Sequence, residues 1–146
     1  MTNDERFHAM ELGMQGYNCS QILLRMTLDA LKKENPDLIR AVTGLLGGLG
    51  NGKLCGALTG GCCVLGLFAG KGTAEEETDE RLQAMLIEFV EWFESEMTTR
   101  FDGIDCDIIL AGDNRNRLSR CPSIVLDSYD KLKEILTENG YALDPA

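Results

Sequence analysis

A chain of 146 residues, 44% hydrophobic and 26% charged, has ordinary globular composition and enough length to bury a core without disulfide support. Asp and Glu outnumber Lys and Arg by 24 to 14, for a formal net charge of -10. Such a surface repels phosphate backbones and anionic lipid, which argues against nucleic-acid binding and electrostatic membrane docking.

The opening MTNDERFHAM is acidic where a secretory leader would be basic and then apolar. A first helix is expected from about Asp4 to Met14, capped by Thr2 or Asn3 and stopped near Gly16. A second opens around Asn18 and Cys19, with Ile22, Leu23, Met26, Ala30 and Leu31 at helical spacing. Asn35-Pro36 ends it, and Pro36 suits the first turn of a third helix running through Leu46. The run GGLGNG, residues 47–52, reads as a turn or a close backbone approach.

A fourth helix is expected from Leu54 or Cys55 to about Ala69, with Gly56 and Gly60, then Gly66 and Gly70, four apart. Faces without side chains let another backbone come close, within a bundle or on a second copy. Glu75-Glu76-Glu77 suits the positive end of a long fifth helix striped by Leu82, Met85, Leu86, Phe89, Phe93 and Met97. A short helical piece follows with Cys106, Ile108, Ile109 and Leu110, and then a polar loop, GDNRNRLSR. The last helix begins at Cys121-Pro122 and carries Val125, Tyr129, Leu132 and Leu136 to Gly140. No run alternates with period two. The expectation is an all-α fold, a compact bundle of about five to six helices forming one domain over residues 1–146.

The longest uncharged run, Leu54 to Gly70, carries five glycines and reads as a buried helix rather than a membrane span. The reading is a cytoplasmic protein, where structural disulfides are rare, so six cysteines point to thiols with a task or to ligands. Cys19, Cys55, Cys106 and Cys121 each fall at or near an expected helix start. There the free N–H groups and partial positive charge stabilise a thiolate, the reactive and ligating form. Cys62 and Cys63 lie mid-helix in GGCCVLG and read as core packing, one or both buried; adjacent helical residues diverge too far to bridge.

Other signals lead nowhere. Gly47 to Lys53 spells G-x-x-x-x-G-K, but Leu54 stands where a metal-binding hydroxyl would follow, and the preceding segment is helical. His8, the only histidine, is expected at the surface or in packing. The acidic clusters lack calcium-loop spacing, and Met10, Met14, Met26, Met85 and Met97 fit core stripes.

Cys55-Gly56-Ala57-Leu58-Thr59-Gly60, Cys19 in YNCSQILL, Cys106, and Cys121 in CPSIVLDSYDKL together resemble the redox-active proteins known by the motif C…CGAxxG…C…C. The glycine run before Cys55 belongs to the same likeness, which spans roughly residues 12–136. It implies a small redox-active protein with Cys19, Cys55, Cys106 and Cys121 as its site. Three chemistries fit that set: thiol–disulfide exchange, an iron–sulfur cluster on the four cysteines, or, less favoured for want of CxxC knuckles, zinc. Exchange leads. Cys55 is the expected attacker, and Cys106 with Cys121 is the expected local pair. The partner would be a redox protein or a small electron donor, with a homodimer open. The non-redox alternative is a helical interaction module whose cysteines only pack.

Overall fold

The structure is a computed structural model that describes residues 2–143. Among these residues it is all-helical, with seven α-helices and no strand. They are α1 (Asn3–Met14), α2 (Cys19–Ala30), α3 (Pro36–Ala41), α4 (Gly56–Ala69), α5 (Leu82–Phe101), α6 (Cys106–Leu110) and α7 (Asn116–Glu138). The count exceeds the expected five to six because the short piece at Cys106 is a helix in its own right.

Two helices begin with reciprocal capping. The Thr2 hydroxyl accepts from Glu5 N–H at 3.0 Å while the Glu5 carboxylate accepts from Thr2 N–H at 3.2 Å. Asn18 and Gln21 do the same at α2, so Cys19 is held as that helix's first residue. Pro36 opens α3 behind the Asn35 cap; a tighter 3-10 turn, Val42–Leu45, replaces its expected last turn.

Two further boundaries differ from expectation. Helix α5 starts at Leu82 and not at the glutamate run, because the Glu76 carboxylate turns back to accept from Gly72 N–H and Thr73 N–H. That local bond competes with helix formation. Helix α7 starts at Asn116, with Cys121 and Pro122 inside it. Asp113 opens it early, its carboxylate accepting from Arg115 N–H and its carbonyl from Asn116 N–H.

Helix α2 is buried nearly all round and lies against α4, which also packs on α5 and α7. Gly60 permits this: a Cβ there would stand 2.7 Å from both Cα and Cβ of Ser20 on α2. Gly61 lies under the Phe89 ring. The Gly56–Gly61 part of α4 is therefore spent inside the bundle, while Gly66 faces open space. Met85, Phe89, Phe93 and Met97 form the buried stripe of α5, with Leu82 and Leu86 of the expected stripe only half-buried, and Val125, Tyr129, Leu132 and Leu136 form that of α7 as expected.

Met26, Met85 and Met97 are buried, but Met10 and Met14 are exposed, with Phe7 beside them. Helix α1 turns its small Ala9 and Leu12 inward and leaves the longer residues outside. His8 sits at the surface, its Nε2 2.6 Å from Asp29 on α2. No helix among the described residues is long and apolar enough to cross a membrane.

The Ser128 hydroxyl is fully buried on α7 without a hydrogen-bond partner. Removing an unsatisfied buried hydroxyl recovers its desolvation cost, so Ser128→Ala should raise stability by about 1 kcal/mol, read as a higher urea midpoint at unchanged slope.

Candidate functional site

The glycine run shapes one wall of the site. Gly47, Gly48, Leu49 and Gly50 all adopt left-handed backbone angles, and Gly52 does so again. A Cβ at Gly48 would collide with the Lys53 backbone, and one at Gly52 with the Asp107 carboxylate, so both positions need glycine. The tight reversal brings residues 53–55 alongside 104–106. Cys55 N–H donates to the Ile104 carbonyl at 3.1 Å, and Cys106 N–H to the Lys53 carbonyl at 2.6 Å. Leu54 faces Asp105 in this antiparallel bridge. The register puts Cys55 and Cys106 on one face of it, diagonal to each other.

Cys55 then caps α4, and Cys106 is the first residue of α6. Three of the four cysteines thus stand at helix starts, as expected from sequence. Cys121 does not. It lies in the second turn of α7, beyond the reach of that helix's free N–H groups. Pro122 interrupts the helical ladder there by withholding its N–H from the Leu118 carbonyl.

All four come together nonetheless. The Cys19 thiol faces Cys121 within hydrogen-bonding reach, Cys55 lies in electrostatic reach of Cys19, Cys106 and Cys121, and Cys106 in that of Cys121. Gly56 helps, leaving a Cβ position 3.6 Å from the Cys19 Cβ. All six cysteines are free thiols. Among the described residues no three His, Cys, Asp or Glu side chains are grouped closely enough to hold one metal ion.

The four are not equivalent. The hydrogen bond from Cys19 pulls the Cys121 thiol down to about 7, with Arg117 assisting against burial. Cys19 is raised by the same bond, which keeps its proton, and then by burial. Burial pushes Cys55 up to about 11, outweighing the N–H groups of Ala57 and Leu58 that face its sulfur. Cys106 is raised by burial, with Arg117 opposing. The pair therefore holds one proton-bearing and one proton-poor sulfur, the arrangement a nucleophile and its donor require.

Arg117 is the side chain beside these cysteines that sequence reading misses. It lies one helical turn before Cys121, and its guanidinium reaches both Cys106 and Cys121. The i, i+4 spacing was the available signal, hidden by assigning residues 112–120 to a loop. The corner that presents Arg117 is stapled. The Arg120 guanidinium donates to the Ile109 carbonyl at 2.6 Å, and the Asn116 amide to the Leu110 carbonyl at 2.8 Å.

Cys62 and Cys63 stand apart from this group and are half-buried, less enclosed than expected. Burial raises both, Cys62 to about 11. Cys62→Ala should cost about 1 kcal/mol or less and leave thiol exchange unchanged; a lost reaction in a variant with a native melting profile would overturn their packing role.

Two cavities, of 460 Å³ beside Tyr17, Arg25 and Arg40 and of 290 Å³ beside His8 and Tyr129, contain none of the cysteines in their walls. No curated protein and no solved structure matched the chain. The family model "Putative redox-active protein (C_GCAxxG_C_C)" matches residues 17–135; its label writes Gly-Cys-Ala where this chain has Cys55-Gly56-Ala57. With four cysteines gathered from four segments and a match over most of its length, the chain belongs to the C_GCAxxG_C_C family of redox-active proteins.

Proposed function

We propose that the chain is a thiol oxidoreductase whose working pair is Cys121 and Cys19. The Cys121 thiolate attacks one sulfur of a partner disulfide, and the partner's other sulfur leaves as a thiolate. Cys19 then attacks the Cys121 sulfur, its proton passing to the departing partner sulfur. The products are a Cys19–Cys121 disulfide, one partner thiolate and one partner thiol, two electrons having moved to the partner. Arg117 stabilises the initial thiolate. Cys55 and Cys106 form a second dithiol that can take the disulfide over by the same exchange, freeing Cys19 and Cys121 for another cycle. A reducing compartment such as the cytoplasm suits six free thiols.

The observation that carries this reading is the asymmetric facing of Cys19 and Cys121. It differs from the expectation that Cys55 attacks and that Cys106 pairs with Cys121, since burial leaves Cys55 largely protonated. A cysteine-ligated iron–sulfur cluster is the second reading, favoured by the convergence of Cys19, Cys55, Cys106 and Cys121. It ranks below exchange because the hydrogen bond between Cys19 and Cys121 already sets those two sulfurs apart as a pair.

The test is alkylation of protein purified without oxygen, followed residue by residue by mass spectrometry across pH. Cys121 should be modified first, its rate rising with pH through a midpoint near 7. First modification at Cys55, or no modification below pH 9, sinks the assignment. Stoichiometric iron with absorption bands that bleach on reduction would replace it with the cluster.

A further inference from the structure

Helix α1 is anchored along one side only. Ala9 and Leu12 are buried, Glu5 meets Lys133 of α7 at 2.6 Å, and His8 meets Asp29 of α2. The opposite side carries Phe7, Met10 and Met14, which are 65%, 60% and 86% exposed. No other helix among the described residues leaves more than one large apolar side chain exposed.

The exposed side has a register. At about 100° of turn per residue, Asn3, Phe7, Met10 and Met14 stand in one line, spaced four, three and four. That is the a/d spacing of a coiled-coil seam, kept up for nearly two heptads. Asp4 and Glu11 flank the line on one side, Arg6 and Gly13 on the other. Asp4, Arg6 and Glu11 are exposed, and none of them has an ion pair among the described residues.

These flanking charges select the occupant and its direction. In a parallel pair of α1 helices each seam residue meets its own copy, and one flank of each helix faces the other five residues further on. Arg6 then lies against Glu11 of the second copy, twice by symmetry, while Asp4 and Gly13 have nothing charged opposite. In an antiparallel pair each flank meets its own kind. Asp4 would lie opposite Glu11 and Arg6 opposite Gly13, so the acids repel and the cation is unused.

We infer that α1 is a self-association face, on which a second copy of this chain lays its own α1 in parallel about a two-fold axis along the seam. The net charge of -10 on each copy opposes their approach, and the seam is short beside a standard protein interface. The dimer is therefore weak, with half-association expected at ~10–100 µM.

The test is sedimentation equilibrium of the full chain from about 5 to 500 µM, kept reduced so that no disulfide joins the copies. Met10→Glu, Arg6→Glu, Glu11→Arg and an equimolar mixture of the last two are the comparisons. All three side chains are exposed in the single chain, so helical circular dichroism at low concentration should match the wild type. The wild type should pass from monomer to dimer, and Met10→Glu should weaken pairing by more than about tenfold. Each charge reversal alone sets like charges opposite and should weaken it by roughly threefold to tenfold. Their mixture restores both opposite-charge contacts and should recover wild-type pairing.

A monomer at every concentration overturns the inference. So does a dimer indifferent to Met10→Glu, which would use another face. A mixture that pairs no better than its two components overturns the parallel register and the inference with it.

Discussion

Cys121→Ser should slow thiol–disulfide exchange at pH 7 by about 100-fold, whereas Cys19→Ser should stop the reaction at a stable mixed disulfide on Cys121. With its thiol held near 7, roughly half of Cys121 is thiolate at neutral pH. A thiol near 11, such as Cys55, is thiolate in only about one molecule in 10,000. Its greater intrinsic nucleophilicity recovers part of the deficit and leaves a net factor of about 100. The serine at position 19 still has an O–H to donate, so Cys121 stays reactive; what disappears is the resolving sulfur. Intact-mass measurement after quenching distinguishes the two variants. A Cys121→Ser protein with wild-type rate, or a Cys19→Ser protein that turns over normally, would show that another pair does the work. Cys19→Ala goes further. It removes the hydrogen bond that lowers Cys121, so the midpoint of the pH–alkylation profile moves upward and the rate at neutral pH falls.

Gly60→Ala should destabilise the fold by about 1–3 kcal/mol and disturb the thiols with it. The added methyl meets the Cα and Cβ of Ser20 at 2.7 Å, and because one is backbone it cannot swing aside. Helix α2 must move away from α4, taking its first residue, Cys19, from its place beside Cys121. The melting temperature should fall by roughly 3–10 °C, and alkylation of Cys121 should need higher pH. Gly66→Ala on the same helix is the control. A Cβ there meets nothing within 4 Å, so relief of glycine's entropic cost should stabilise by about 0.5–1 kcal/mol. Equal effects at both positions would show that the close approach of α2 and α4 contributes nothing.

Much of this architecture is legible along the chain because it rests on local chemistry. Period-3.6 stripes locate α5 and α7, the Asn18–Gln21 cap starts α2, and spaced glycines announce the face that α2 covers. The misplaced boundaries are also local, but they turn on competition between side chains. Glu76 bonds backward to Gly72 and Thr73 rather than opening a helix, and Asp113 opens α7 before Cys121. The second error hid Arg117, since a residue assigned to a loop has no helical neighbour at i, i+4. The outward turn of Met10 and Met14 was beyond local chemistry, because the direction α1 faces depends on what it packs against.

By itself, then, the sequence determined that this is a helical protein with four family cysteines on four separate segments, because periodicity, capping and motif spacing act between neighbours in the chain. Only the tertiary structure decided which sulfurs meet and which of them holds its proton. Cys19 and Cys121 are brought together by the packing of α2 and α7 around α4, and a thiol's pKa depends on burial and on the groups that face it in space.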